Sequence, residues 1–143
     1  MIKKPTLIPE LLCTNIAISL NFYTDVLGFI IDYQRPESGF AMLERQGAKI
    51  MIEQIVMSSE RSWTAGTLEK PFGRGINLQI ETSNVIQLFN TVKSSRSEIF
   101  LDIEERWYRR DDYELGNCQF IVLDPDGYML RFFEDLGKRA LVS

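Results

Sequence analysis

The chain has 143 residues, 45% of them hydrophobic and 25% charged, which fits one ordinary globular domain spanning 1–143. Its 16 basic and 20 acidic residues leave a net charge of −4, which argues against a nucleic-acid partner, since phosphates call for a basic face. A histidine count of 0 excludes Ser-His-Asp and Cys-His catalysis and histidine-ligated zinc or iron.

Met1-Ile2-Lys3-Lys4-Pro5 is basic but has no apolar stretch of the kind a secretory signal needs. No apolar run reaches the roughly 18–20 residues of a bilayer span. A cytoplasmic protein with no membrane partner is therefore expected. Cys13 and Cys118 lie far apart without a CxxC pairing, and both read as small buried apolar residues.

Leu7 to Cys13 is the first strand candidate, with Thr14 or Asn15 as a helix cap after it. Ile16, Leu20, Tyr23 and Leu27 recur on one helical face, and Gly28 stands where a C-terminal cap is expected. Three short strand patterns follow, at Phe29 to Tyr33, Gly39 to Glu44 and Lys49 to Glu53, separated by Pro36, Ser38 and Gln46-Gly47. Residues 56–74, including Ser58, Ser59 and Trp63, read as a crossover linker.

The same order then returns. Ile76 to Glu81 alternates, Ser83 is read as the cap of a helix with the stripe Val85, Leu88, Phe89 and Val92, and strands are expected at Glu98 to Ile103, Cys118 to Leu123 and Tyr128 to Glu134. Asp124-Pro125-Asp126-Gly127 supplies the last tight turn. Asn15 aligns with Asn84 and Ile16 with Val85, while Gly47 aligns with Gly127, Ile50 with Leu130 and Ile52 with Phe132. Internal duplication explains this, with module one at about 6–55 and module two at about 75–135.

Asn15-Ile16 running into Leu20-Asn21-Phe22-Tyr23-Thr24-Asp25-Val26-Leu27-Gly28-Phe29, combined with Asp124-Pro125-Asp126-Gly127-Tyr128 before Leu130-Arg131-Phe132, resembles the vicinal-oxygen-chelate superfamily. The resemblance is to its bleomycin-resistance-type members in particular. It implies an α+β fold of tandem βαβββ modules forming a curled mixed sheet around a cavity, usually in paired chains, hence a homodimer. The superfamily also contains glyoxalase I, extradiol dioxygenases and fosfomycin-modifying enzymes. In those enzymes the first and last strands of each module hold a metal, and the matching positions here are Ile8, Met51, Asn77 and Arg131. Ile8 and Met51 are not hard-metal ligands, Asn77 is a poor one, and Arg131 would repel a cation. No metal and no cofactor are therefore expected, although Glu10 and Glu53 together could hold a weak ion.

Strand alternation sets Ile8, Glu10, Leu12, Met51, Glu53, Asn77, Gln79, Met129, Arg131 and Phe133 away from the helices, a mixture suited to an organic ligand. Solvated sheet positions, with Arg131 paired to Glu53 or Glu10, would give the same pattern. Residues 102–116 read as a long connection carrying Trp107 and Tyr108, which either stack on a flat ligand or cover the sheet and a dimer contact. The expected ligand-binding set is Glu53, Asn77, Gln79, Trp107, Tyr108, Arg131 and Phe133, with no catalytic residue. The expected activity is sequestration of a bulky cationic aromatic molecule such as bleomycin, conferring resistance. A lyase, isomerase or dioxygenase with a displaced metal site is the alternative.

Overall fold

The computed structural model describes residues 4–56 and 63–141, so Met1, Ile2, Lys3, Ser58 and Ser59 lie outside the described residues. Internal contacts divide the chain into two units, residues 1–74 with 125–127 and residues 75–124 with 128–143. Each carries a four-stranded mixed sheet, so the observed α+β architecture is a repeated βαβββ order with two sheets.

The first unit opens with β1 (Glu10–Cys13), shorter than the expected strand because Pro9 interrupts the pattern and Leu7 is exposed. Helix α1 (Ile16–Asn21) follows, and the Asn15 side chain caps it by accepting from the Ile18 amide at 3.1 Å. It continues as a π-helical turn over Phe22–Val26 and stops at Gly28, whose φ of 80° is left-handed. Strands β2 (Ile30–Arg35), β3 (Phe40–Arg45) and β4 (Ala48–Gln54) complete the module, in the sheet order β1-β4-β3-β2. Leu11, Cys13, Ala41, Leu43, Ile50 and Ile52 form the buried face of the sheet, while Tyr23 and Leu27 are buried on the helical segment. Burying one such large apolar side chain is worth roughly 1.5–3 kcal/mol, so this set dominates the unit's stability.

The second unit repeats the plan with β5 (Asn77–Glu81), α2 (Val85–Ser94), β6 (Ile99–Arg110), β7 (Tyr113–Leu123) and β8 (Met129–Ala140) in the order β5-β8-β7-β6. Val85, Leu88, Phe89 and Val92 are buried as their spacing predicts, and Phe89 meets Phe120 edge-on at 5.3 Å. The cap is Asn84, not Ser83: the Asn84 carboxamide accepts from the Gln87 amide at 3.1 Å. That matches Asn15 in the first unit and strengthens the internal alignment. A second pair of equivalents emerges at the last strands. Gln54 accepts from the Ile16 amide at 3.0 Å, and Glu134 accepts from the Val85 amide at 3.0 Å. In each unit one side chain of the last strand thus satisfies an amide that the helix itself leaves open.

Residues 102–116 are not a long loop. They form most of a hairpin, with β6 and β7 paired from Arg110↔Tyr113 to Ile99↔Val122 and turned at Asp111-Asp112. The dense charges of both signs concealed the strand period there, because on exposed strands they occupy both faces. Cys118 is only partly buried, unlike Cys13, and burial raises its thiol pKa, with Glu134 and Glu105 adding to the shift.

The middle of the Asp124–Gly127 turn is grouped with the first unit. Asp126, 1% exposed, accepts from the Thr14 amide at 3.1 Å and the Thr14 hydroxyl at 2.7 Å, with Lys70 Nζ 3.4 Å away. Gly127 holds φ 101°, and a Cβ there would stand 2.5 Å from Pro71. Asp126→Ala is expected to lower stability by about 1.5–3 kcal/mol, as loss of charge-assisted hydrogen bonds to a buried carboxylate does. Urea denaturation checks it; an unchanged midpoint would show that these bonds contribute nothing.

Candidate functional site

Because strand side chains alternate, the residues opposite the helix-facing set share the other face of each sheet. In the first unit the register aligns Leu12, Glu53, Phe40 and Arg35 in one row across the four strands. Glu10, Met51, Met42 and Tyr33 form the next. Phe40 and Tyr33 lie 5.9 Å apart, and the Arg35 guanidinium sits 4.0 Å over the Phe40 ring. Burial pushes the Glu10 carboxyl above its usual range; the Glu53 charge adds to this and Arg35 opposes it. Aromatic, thioether and carboxylate groups are thereby collected on one surface.

In the second unit the corresponding rows are Glu81, Phe133, Gln119 and Glu104, then Gln79, Arg131, Ile121 and Leu101. Asn77, Met129 and Leu123 form a third. Arg131 Nε donates to Asn77 Oδ1 at 3.1 Å, a local hydrogen bond within its own sheet. Gln119, 2% exposed, donates from Nε2 to Glu104 Oε2 at 2.8 Å and to the Tyr108 hydroxyl at 2.7 Å. Tyr108 therefore belongs to this face.

Trp107 does not. It is opposite Gly116 in the ladder, one residue out of phase with Tyr108, and so points to the other side of the sheet. Its ring lies flat against Gly116, where a Cβ would stand 2.6 Å from the indole carbons, and the Arg139 guanidinium sits 4.3 Å from the ring centroid. Arg139 in turn donates to Glu114 at 2.9 Å. Of the sequence-predicted set, Asn77, Gln79, Tyr108, Arg131 and Phe133 share one face of the second unit. Glu53 stands on the equivalent face of the first, and Trp107 is separated from them.

The residues missed in the sequence are Gln119 and Glu104, together with Tyr33, Arg35 and Phe40. A signal existed for Gln119: it is the polar member of Gln119-Phe120-Ile121-Val122, out of step with the core positions Phe120 and Val122. At the positions where the superfamily's enzymes carry metal ligands, Asn77 is engaged by the charged Arg131, Met51 offers a thioether, and Ile8 precedes β1. Among the described residues, no group of three or more Asp, Glu, Cys or His side chains could hold a metal ion. This donor set does not fit a divalent cation, and no chemical step is derived through one.

The fold and the one-sided helical cover of each sheet define a tandem βαβββ protein. No protein-family model matches the chain. It is 25% identical over 138 residues to the bleomycin resistance protein of Geobacillus stearothermophilus, covering 90% of this chain and 96% of that protein. The bleomycin resistance protein of Staphylococcus aureus matches to the same extent, 25% over 138 residues. Among solved structures, TioX from Micromonospora sp. ML1 superposes with a TM-score of 0.69 at 18% identity, covering 91% of this chain and 98% of that one. A glyoxalase/bleomycin resistance protein/dioxygenase from Alicyclobacillus acidocaldarius gives 0.61 at 16% identity, covering 92% of each. The chain is thus similar to bleomycin resistance proteins over nearly its whole length, and its fold is the one that the glyoxalase/bleomycin resistance protein/dioxygenase structure shares.

The raised Glu10 pKa carries a sign that can be measured. A carboxyl whose folded pKa exceeds its unfolded value favours the folded state at acid pH, and that contribution is lost as pH rises through the folded value. Glu10→Gln is therefore expected to be more stable than the parent at pH 7. The difference should vanish below the ordinary value of 4.5. Denaturation curves at both pH values check this; an equal difference at each would rule it out.

Proposed function

We propose that this chain binds and sequesters a bulky, cationic aromatic small molecule of the bleomycin type, without a metal and without turnover. The observation that carries the reading is the exchange at the superfamily's ligand positions, where a guanidinium bonded to Asn77 stands in place of a cation-binding carboxylate. The likeness to bleomycin resistance proteins over 90% of the chain supports it. So do the sheet faces, which mix aromatic and thioether surface for a planar ring with carboxylates for a positive end.

On the second unit Phe133 supplies a ring surface and Tyr108 and Gln79 polar contacts; on the first, Glu53 offers a negative charge. Asn77 and Arg131 act as a fixed pair that orients polar groups of the guest. Trp107 supports the β6–β7 hairpin instead of stacking on the ligand. Binding alone lowers the free drug, so affinity and protein amount decide resistance. The proposal includes a cytoplasmic homodimer, with Trp63, 72% exposed, as a contact residue. No helix among the described residues is long and apolar enough to cross a membrane.

Calorimetric titration of chelator-treated protein with bleomycin tests this. Saturable binding is expected, and Phe133→Ala should weaken it roughly tenfold, about 1.4 kcal/mol. Absence of binding would reject that guest. Stoichiometric divalent metal together with turnover lost on stripping would favour a lyase, isomerase or dioxygenase of the same superfamily.

A further inference from the structure

The face of the second sheet contains a polar group whose hydrogen bonds are incomplete. Gln119 is 2% exposed and stands between Phe133 on β8 and Glu104 on β6. A carboxylate accepts and never donates, so the contact with Glu104 fixes Nε2 as the nitrogen facing β6. The same nitrogen meets the Tyr108 hydroxyl. Both amide hydrogens are then used, and Oε1 is left buried with no hydrogen-bond partner. Buried polar atoms without partners are rare in folded proteins, and each calls for an explanation such as a bound water, an ion or a ligand.

The local balance is one-sided. Gln119 Oε1, the second oxygen of Glu104 and the remaining lone pair of Tyr108 are acceptors, against the hydroxyl hydrogen of Tyr108 as the one donor of these three side chains not already used. Phe133 lies directly beside the amide in the ladder and Glu81 beside Phe133, so an aromatic surface adjoins the acceptors. The cations that the register places on this face are Arg131, which donates to Asn77, Arg106, one alternation along β6 from Glu104, and, further along the hairpin, Arg110 and Lys138, whose Nζ lies 4.9 Å over the Tyr113 ring.

We propose that Gln119, Glu104 and Tyr108 form a subsite for an N–H-rich cationic group, an amidinium or a primary amine, attached to a ring that packs on Phe133. Tyr108, 41% exposed, covers the amide and shifts to admit the guest, whose N–H groups then bond to Gln119 Oε1 and to Glu104. This deepens the proposed function, since it rests on the same face being the ligand surface and assigns the positive end of the ligand to particular acceptors.

Benzamidine is the probe, with benzoate as a planar counterpart that has no N–H donor. Amide chemical shifts of labelled full-length protein would be followed during titration at millimolar concentrations. Benzamidine should shift residues of β6, β7 and β8 around Gln119, and benzoate should not. Glu104→Gln, which keeps the side-chain shape at a partly exposed position, should weaken benzamidine roughly tenfold, as loss of a charged acceptor does. Gln119→Met should do the same, provided its spectrum shows a native fold. No benzamidine shifts, equal response to benzoate, or parental affinity in Glu104→Gln would overturn the subsite. Bleomycin distinguishes the two proposals. If it binds the parent and Glu104→Gln alike, the subsite is wrong while sequestration stands. If it does not bind but benzamidine does so through Glu104, the subsite stands and only that guest is wrong.

Discussion

Each sheet is buried on one side by a helix, and the two-residue period of a strand then dictates what the other side must carry. Phe120, Val122, Leu130 and Phe132 are fully buried in the second unit, while Gln119, Ile121, Arg131 and Phe133 alternate with them on the opposite face. The helix is fastened to this arrangement at its first turn. Glu134 in one unit and Gln54 in the other reach from the last strand to the helix amides. Without that one-sided cover, the alternating residues would have no reason to form a mixed surface.

The surface so formed suits an organic guest better than an ion. A metal centre needs several converging oxygen, nitrogen or sulfur donors with a net negative charge. The second unit instead has a guanidinium bonded to a carboxamide, an aromatic ring, and a buried amide beside one carboxylate. The first has two aromatic rings under a guanidinium, two methionines, and a pair of carboxylates whose mutual repulsion contributes to the raised Glu10 pKa. Both faces offer polarizable area and a few oriented charges, a mixture that pockets for organic ligands also have.

Much of the fold was legible because its signals were local. Asn15, Gly28 and the stripe Val85, Leu88, Phe89 and Val92 announce their roles through spacing alone. The tight turn at Asp124–Gly127 was equally plain, but not the reason for its glycine, which is the approach of Pro71 from a distant part of the chain. Ser83 and Asn84 are both good caps, and only backbone geometry separates them. The β6–β7 hairpin is hidden in the sequence because exposed strands need no apolar alternation, so nothing there separates Trp107 and Tyr108, which occupy opposite faces. Gln119 is the instructive miss. Its significance lies in which hydrogen bonds it lacks, and a sequence does not record that.

The claim that the second unit's inner face takes an organic guest without a metal is tested most directly by mapping. Isotope-labelled protein, stripped with chelator, would be titrated with bleomycin while backbone amide shifts are followed. The account predicts saturable shifts centred on β8 and β7 near Phe133 and Gln119 in metal-free buffer. Shifts that appear only once a divalent cation has been restored would contradict it.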